Sequence, residues 1–261
     1  PSEPRLVHGD LRMGNVMVTT DGLAAVLDWE LAHWGDPHED LAYGCMTVWR
    51  FGHIDKPAFG CAGLDTYFAA YEAERGETVD RACFRFWLVY RTLWWALGCI
   101  QMGDIWRESI DRSLERAVIG RRTSENELDL LLLLEEDAPA AEQSAVALDT
   151  PSPVRRAGEP SSVELLEALR EWIDTDVKAK SEGRDKFMAA VAMNAIGMLI
   201  REQENPVAPY DKTLSDALLA GTQSLATPGL LARLRKSALA KLSNDVPKYA
   251  ALNAARQKWT A

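Results

Sequence analysis

Near its start the chain carries His8-Gly9-Asp10-Leu11-Arg12-Met13-Gly14-Asn15, followed by Leu27-Asp28-Trp29-Glu30. An aspartate and an asparagine one tight loop apart can face one pocket, and a second aspartate can be returned to it by a hairpin. Oxygen donors such as Asn15 and Asp28 suit a hard divalent cation. A carboxylate beside them, Asp10, suits a base that orients and deprotonates a hydroxyl. Together they serve phosphoryl transfer from a nucleotide, which needs charge neutralisation and positioning more than covalent help. Glu30 has two readings, a contact to a substrate cation or to the metal's surroundings, and a surface carboxylate. Arg91 also has two, a snorkelling cation and a buried partner for a carboxylate or an acceptor phosphate.

These residues need elements to hold them. Val16 to Thr19 and Leu23 to Leu27 are short apolar runs around Asp21-Gly22, the signature of a hairpin. A two-residue turn at Asp21-Gly22 pairs Thr20 with Leu23 and sets Asn15 opposite Asp28 on one face. A turn-rich stretch, Trp34 to Ala42, leads into a helix from Glu39 toward Phe51. Helical spacing then predicts Gly63 to Arg75, Asp80 to Gly103 and Ile105 to Arg121. Ser124 and Glu127 form a capping-box pattern ahead of a Leu-rich helix over 125–135. Residues 136–160 are rich in Ala, Pro, Ser and Glu without periodicity, and read as a linker. Beyond it Ser162 caps a helix, and further helices are expected over 185–204, 212–224, Thr227-Pro228 to Leu242, and from Asp245 toward Gln257. The expected organisation is a catalytic lobe at 1–135, a linker at 136–160 and a small helical bundle at 161–261. The fold class is mainly α with a small β-hairpin.

The net charge of −10 argues against general nucleic-acid binding, which needs a basic surface. The most apolar run, Phe86 to Met102, is short for a membrane span and interrupted by Arg91. No signal peptide is visible, so a cytoplasmic protein is expected. The four cysteines, 45, 61, 83 and 99, form no C-x-x-C pair and read as reduced thiols. His33, Asp36, His38 and Glu39 match no common zinc spacing and read as a polar loop. Trp94 and Trp95 read as core more readily than as an acceptor pocket. The basic run after Pro228, including Arg233, Arg235, Lys236, Lys241 and Lys258, could dock an anionic partner or form a solvated face.

The H-G-D-x-x-x-x-N stretch at 8–15, L-D-W-E at 27–30 and G-D-P-x-x-D-L-A at 35–42 together resemble the aminoglycoside phosphotransferase and choline-kinase-like family. The resemblance implies the C-terminal lobe of a protein-kinase-like fold, with Mg²⁺ and ATP or GTP as the phosphate donor and a small-molecule hydroxyl as acceptor. It implies that Asp10 is catalytic, that Asn15 and Asp28 are magnesium ligands, that His8 supports the loop, and that Asp40 braces it. The stretch 117–135, with Ile119-Gly120-Arg121-Arg122 and Glu125-Asn126-Glu127-Leu128, resembles the branch associated with acyl-CoA metabolism, which points to a hydroxyacyl-type acceptor. The helices from 161 onward resemble an uncharacterised domain that follows some of these enzymes. The family's nucleotide-binding N-lobe, with its covering loop and phosphate-binding lysine, has no counterpart in these residues. The chain by itself is therefore expected to be inactive, with that lobe supplied by a longer parent chain or a separate subunit. A non-catalytic remnant acting as a binding or scaffold module is the alternative. Apolar surface left open by the absent lobe would favour a homodimer or poor solubility.

Overall fold

The computed structural model describes residues 3–111, 114–146, 162–209 and 211–260. The chain forms two compact units, 1–95 and 96–261. The division falls inside a long helix, whereas the composition places a linker at 136–160. Residues 147–160 of that linker lie outside the described residues. Its first part holds a 3₁₀ turn, Glu135–Asp137, and a short helix, Ala140–Gln143.

In the first unit β1 (Arg5–Val7) pairs antiparallel with β4 (His33–Gly35), and β2 (Val16–Thr19) pairs antiparallel with β3 (Gly22–Val26). The hairpin register departs from the expected one. Thr19 pairs with Gly22, so the turn is Thr20-Asp21, and an irregularity at Met17/Val18 shifts the pairing to Val16 opposite Val26. Gly22 takes the left-handed conformation (φ 121) and Asp21 does not, because glycine alone adopts it without a Cβ clash. Asn15 consequently lies across from Leu27, whose N–H it accepts at 2.8 Å, and not across from Asp28.

Helix α1 (His38–Tyr43) is shorter than expected. It gives way at Gly44, whose missing side chain seats the Phe59 ring, and a 3₁₀ turn follows at Thr47–Arg50. Helix α2 (Leu64–Arg75) ends at Gly76, and α3 (Arg81–Arg107) runs past the expected stop at Gly103. Leu41, Tyr43, Met46, Trp49, Phe68, Phe84 and Leu88 are buried and form this unit's core, with rings of Phe68 and Phe84 edge to face at 4.8 Å.

The second unit is helical: α4 (Leu114–Arg121), α5 (Thr123–Leu134), α6 (Ala140–Gln143), α7 (Ser162–Trp172), α8 (Gly183–Glu204), α9 (Lys212–Leu219), α10 (Leu230–Asp245) and α11 (Ala250–Trp259). Helix α10 is its centre, packed on α5, α8 and α11, with Leu231, Leu242 and Leu252 buried. Several expected helix starts are displaced. The capping box at Ser124 does not form; α5 begins earlier, Ser124 donates back to the Arg121 carbonyl, and Glu127 pairs with Lys241. Helix α10 starts after Gly229 (φ 74), while Thr227 closes the preceding turn by accepting from Ser224 N–H. Asp245 ends α10 instead of starting the next helix, since its buried carboxylate accepts from Arg121 at 2.6 Å. The cap expected from the Ser162 side chain lies outside the described residues. No described helix is long and apolar enough to cross a membrane.

Candidate active site

The Asp10 segment is a turn between β1 and the 3₁₀ turn Met13–Asn15, and it is braced from α1. The Asp40 carboxylate accepts the N–H of His8 at 2.7 Å and that of Gly9 at 2.9 Å, one oxygen each. Asp40 can do so because it sits in the first turn of α1, where free N–H groups favour an acid. Gly9 has φ 82, and a Cβ there would lie 2.7 Å from the Leu31 carbonyl oxygen. The loop therefore turns back on itself at Gly9 and presents Asp10 just after.

His8 is buried. Its Nδ1 accepts the Asp10 N–H at 3.1 Å, so its proton is on Nε2, which donates to the Leu27 carbonyl at 2.8 Å. A neutral imidazole thus ties the Asp10 loop to the end of the hairpin. The Trp29 ring packs on it, with centroids 4.6 Å apart. The same residue, Leu27, is held on its N–H by Asn15. Asp28 follows it directly, exposed and in the left-handed conformation (φ 67). Aspartate tolerates that conformation better than most residues, and such backbone often marks a working position.

The Asp10 carboxylate, largely buried, is fixed from two sides. Asn15 Nδ2 donates to Oδ2 at 2.7 Å and to the Asp10 carbonyl at 2.9 Å. Arg12 Nε donates to Oδ1 at 3.2 Å, its guanidinium resting on the Trp49 ring. Tyr43 is buried beside it; burial, and then the Asp10 charge, hold its hydroxyl protonated far above the ordinary tyrosine range. With Nδ2 engaged on Asp10, the Asn15 oxygen is the atom available to a cation. Glu30 is exposed, in the 3₁₀ turn Trp29–Leu31.

Arg91 is 5% exposed and turned inward. Nη1 pairs with Glu39 at 3.0 Å, Nη2 donates to the Gly9 carbonyl, and the guanidinium lies 3.9 Å from the Trp94 ring centre and 4.6 Å from that of Tyr43. Of its two readings, the buried partner of a carboxylate describes it, and the carboxylate is Glu39. Glu39 also accepts from His33 Nε2 at 3.2 Å, while His33 Nδ1 faces the Leu31 carbonyl at 2.9 Å. Both partners are acceptors, an arrangement that favours the protonated ring. The Leu31 bond outweighs desolvation and, with Glu39, raises its pKa above the ordinary value. Arg91 and its partners carry no motif in the sequence; one arginine in an apolar helix was the only signal.

Asp36, His38 and Cys83 also converge, with donor atoms within 4.8 Å of one another. Hydrogen bonds account for them. His38 Nε2 accepts the Asp80 N–H at 3.1 Å, which puts the proton on Nδ1, facing Asp36 at 2.7 Å, and Cys83 donates to the other Asp36 oxygen at 3.2 Å. Burial, together with that bond, pushes the Cys83 thiol up to about 11. A metal at Nδ1 would force the proton onto Nε2, against the Asp80 N–H. The cluster fastens the start of α3 to the start of α1.

The Asp10 turn is thus tied, through His8 and Leu27, to the foot of the hairpin, with Asp10, Asn15 and Asp28 in this one region. Residues 1–86 match the family model described as "Phosphotransferase enzyme family". "Acyl-CoA dehydrogenase family member 10" of Mus musculus is 35% identical over 77 residues, covering 25% of this chain, and the chain spans only 7% of the mouse protein's length. No solved structure matches. The family match ends before the 117–135 stretch, whose Arg121 and Arg122 pair with Asp245 and Glu125.

Proposed function

We propose that residues 1–86 form the catalytic segment of a Mg²⁺-dependent phosphotransferase that moves the terminal phosphoryl group of ATP or GTP to a hydroxyl of a small molecule. The observation that carries this reading is the Asp10 carboxylate held on one oxygen by Asn15 and on the other by Arg12. Two donors, one on each oxygen, fix its direction, and such preorganisation is what a positioning-dominated transfer demands. Asp10 would accept the proton of the acceptor hydroxyl.

The donor set fits magnesium. The Asn15 oxygen and the exposed Asp28 carboxylate are hard oxygen ligands, joined through Leu27 at the foot of the hairpin. Bound there, the ion would neutralise phosphate charge. His8, neutral and buried, keeps the loop and the hairpin end together without adding a charge. Asp40 acts on backbone alone and is structural in this reading. Glu30, exposed two residues after Asp28, is placed to meet a substrate group.

The reading assigns the nucleotide-covering half of the site to a segment outside these 261 residues, in the same parent chain or in a separate subunit, acting in the cytoplasm. Likeness to a protein named for the acyl-CoA dehydrogenase family makes hydroxyacyl compounds the first acceptors to try. The test is a screen of hydroxyacyl thioesters and other hydroxylated metabolites with Mg²⁺ and ATP or GTP, using the full-length parent protein. Asp10→Ala should abolish transfer, a loss of at least about 1,000-fold, while the far-ultraviolet circular dichroism stays unchanged. Retained transfer in that variant would sink the assignment and favour a binding module.

A further inference from the structure

The loop that carries Asp10 is held by more than its own motif. Arg91 comes from the middle of α3, far away in sequence, and touches the loop at the residue before the candidate base. Its guanidinium is buried between the rings of Tyr43 and Trp94 and anchored by Glu39, itself 3% exposed. Burying an arginine costs several kcal/mol unless it is fully paired, on the order of what one ion pair returns. Packing alone would be served better by leucine or methionine. The guanidinium is also the one side chain whose planar fork can bind a carboxylate, a backbone carbonyl and two ring faces together.

Its two contacts converge on Asp10 by different routes. One passes through the Gly9 carbonyl, which fixes the peptide plane leading into Asp10 at a residue with φ 82. The other passes through the Tyr43 ring, whose hydroxyl lies within the field of the Asp10 carboxylate. On the far side Glu39 is shared with His33, so the anchor itself is held from a second side. Asp40 restrains the N–H groups of the same turn. Arg91 restrains its carbonyl, and the peptide cannot rotate about Gly9 without breaking one or the other.

We propose that Arg91 is a positioning residue, which aims the Asp10 carboxylate by clamping the Gly9 carbonyl and the Tyr43 ring from α3. It does not itself contact the acceptor. The inference rests on the reading of Asp10 as the base, and its test separates the two.

The first measurement needs no substrate. Hydrogen exchange of the 261-residue chain should show, in Arg91→Met, faster exchange in the peptide spanning 6–15, with α2 and α3 still protected. Arg91→Lys, which keeps the Glu39 pair and loses the fork, should show an intermediate effect. Unchanged exchange at 6–15 in both variants would overturn the proposal, as would a uniform rise across the first unit. The second measurement is steady-state phosphate transfer by the full-length parent. Arg91→Met should lower kcat about 100-fold with both KM values within about threefold, since the misplaced group acts only in the transition state. Arg91→Lys should recover part of it. A loss confined to KM, or kcat within threefold of the parent in Arg91→Met, would overturn the clamp. An Asp10→Asn variant is measured beside them: if it remains active, the base reading fails, and the exchange result for Arg91 still stands or falls by itself.

Discussion

Single residues decide the geometry of the Asp10 turn. His8 illustrates how a tautomer follows from partners: a backbone N–H on one nitrogen and a carbonyl on the other leave one protonation state. Gly9 is the residue with least latitude. Its φ of 82 costs an ordinary L-residue about 1–2 kcal/mol. A Cβ would in addition sit 2.7 Å from a backbone oxygen, which no rotamer relieves. Gly9→Ala should therefore lower the unfolding free energy by at least about 2 kcal/mol, seen as a reduced midpoint in urea at an unchanged m-value. A midpoint equal to that of the parent would show that the turn is not required to have this shape.

At the scale of elements, the notable feature is how α10 and α11 are joined to what precedes them. Arg235, fully buried, donates to Glu135 at 2.7 Å and to the carbonyls of Glu142, Ala145 and Gln143. Trp259 Nε1 reaches the same Glu135 oxygen at 2.7 Å, and Lys258 pairs with the other. One glutamate at the end of α5 thus fastens α6, α10 and α11. Removing it leaves a buried guanidinium without its anion, which costs about 3–5 kcal/mol. Glu135→Ala should show a loss of that size in chemical denaturation, and Glu135→Gln a smaller one because the amide still accepts. If Glu135→Ala loses less than about 1 kcal/mol, the network is not what fastens these helices. This also redirects the basic C-terminal run: Arg235 is core, Lys241 and Lys258 are paired with acids, and only part of the run is left for a solvated face.

Across the molecule, the two sheets of the first unit have two strands each and bare apolar side chains. Trp34 is 76% exposed, Val18 67%, Leu23 65% and Leu6 58%. Exposed apolar side chains beside open strand edges invite association with another chain. The 261-residue chain is expected to self-associate with rising concentration, a homodimer being the simplest product. A Leu6→Lys/Trp34→Lys double variant should shift light-scattering mass toward the monomer. An unchanged mass distribution would show that these strands are not the sticky surface.

Local spacing puts Asp10, Asn15 and Asp28 forward together as groups that could do chemistry, while His8 and Asp40 enter only through the family resemblance. Reading residues in order was enough for the helix-rich class, since apolar periodicity reports on burial at short range, and α2, α3 and α8 lie close to their expected bounds. What tertiary structure decided was different in kind. The hairpin register turned on which residue could take a positive φ, and that moved Asn15 from Asp28 to Leu27. The capping box at Ser124 failed because Glu127 found Lys241, more than a hundred residues on. Arg91 sits 82 residues from Gly9, and no pattern along the chain connects the two. Local spacing determined which groups could do chemistry; long-range packing decided what holds them, because a buried charge chooses its partner only when the chain has folded around it.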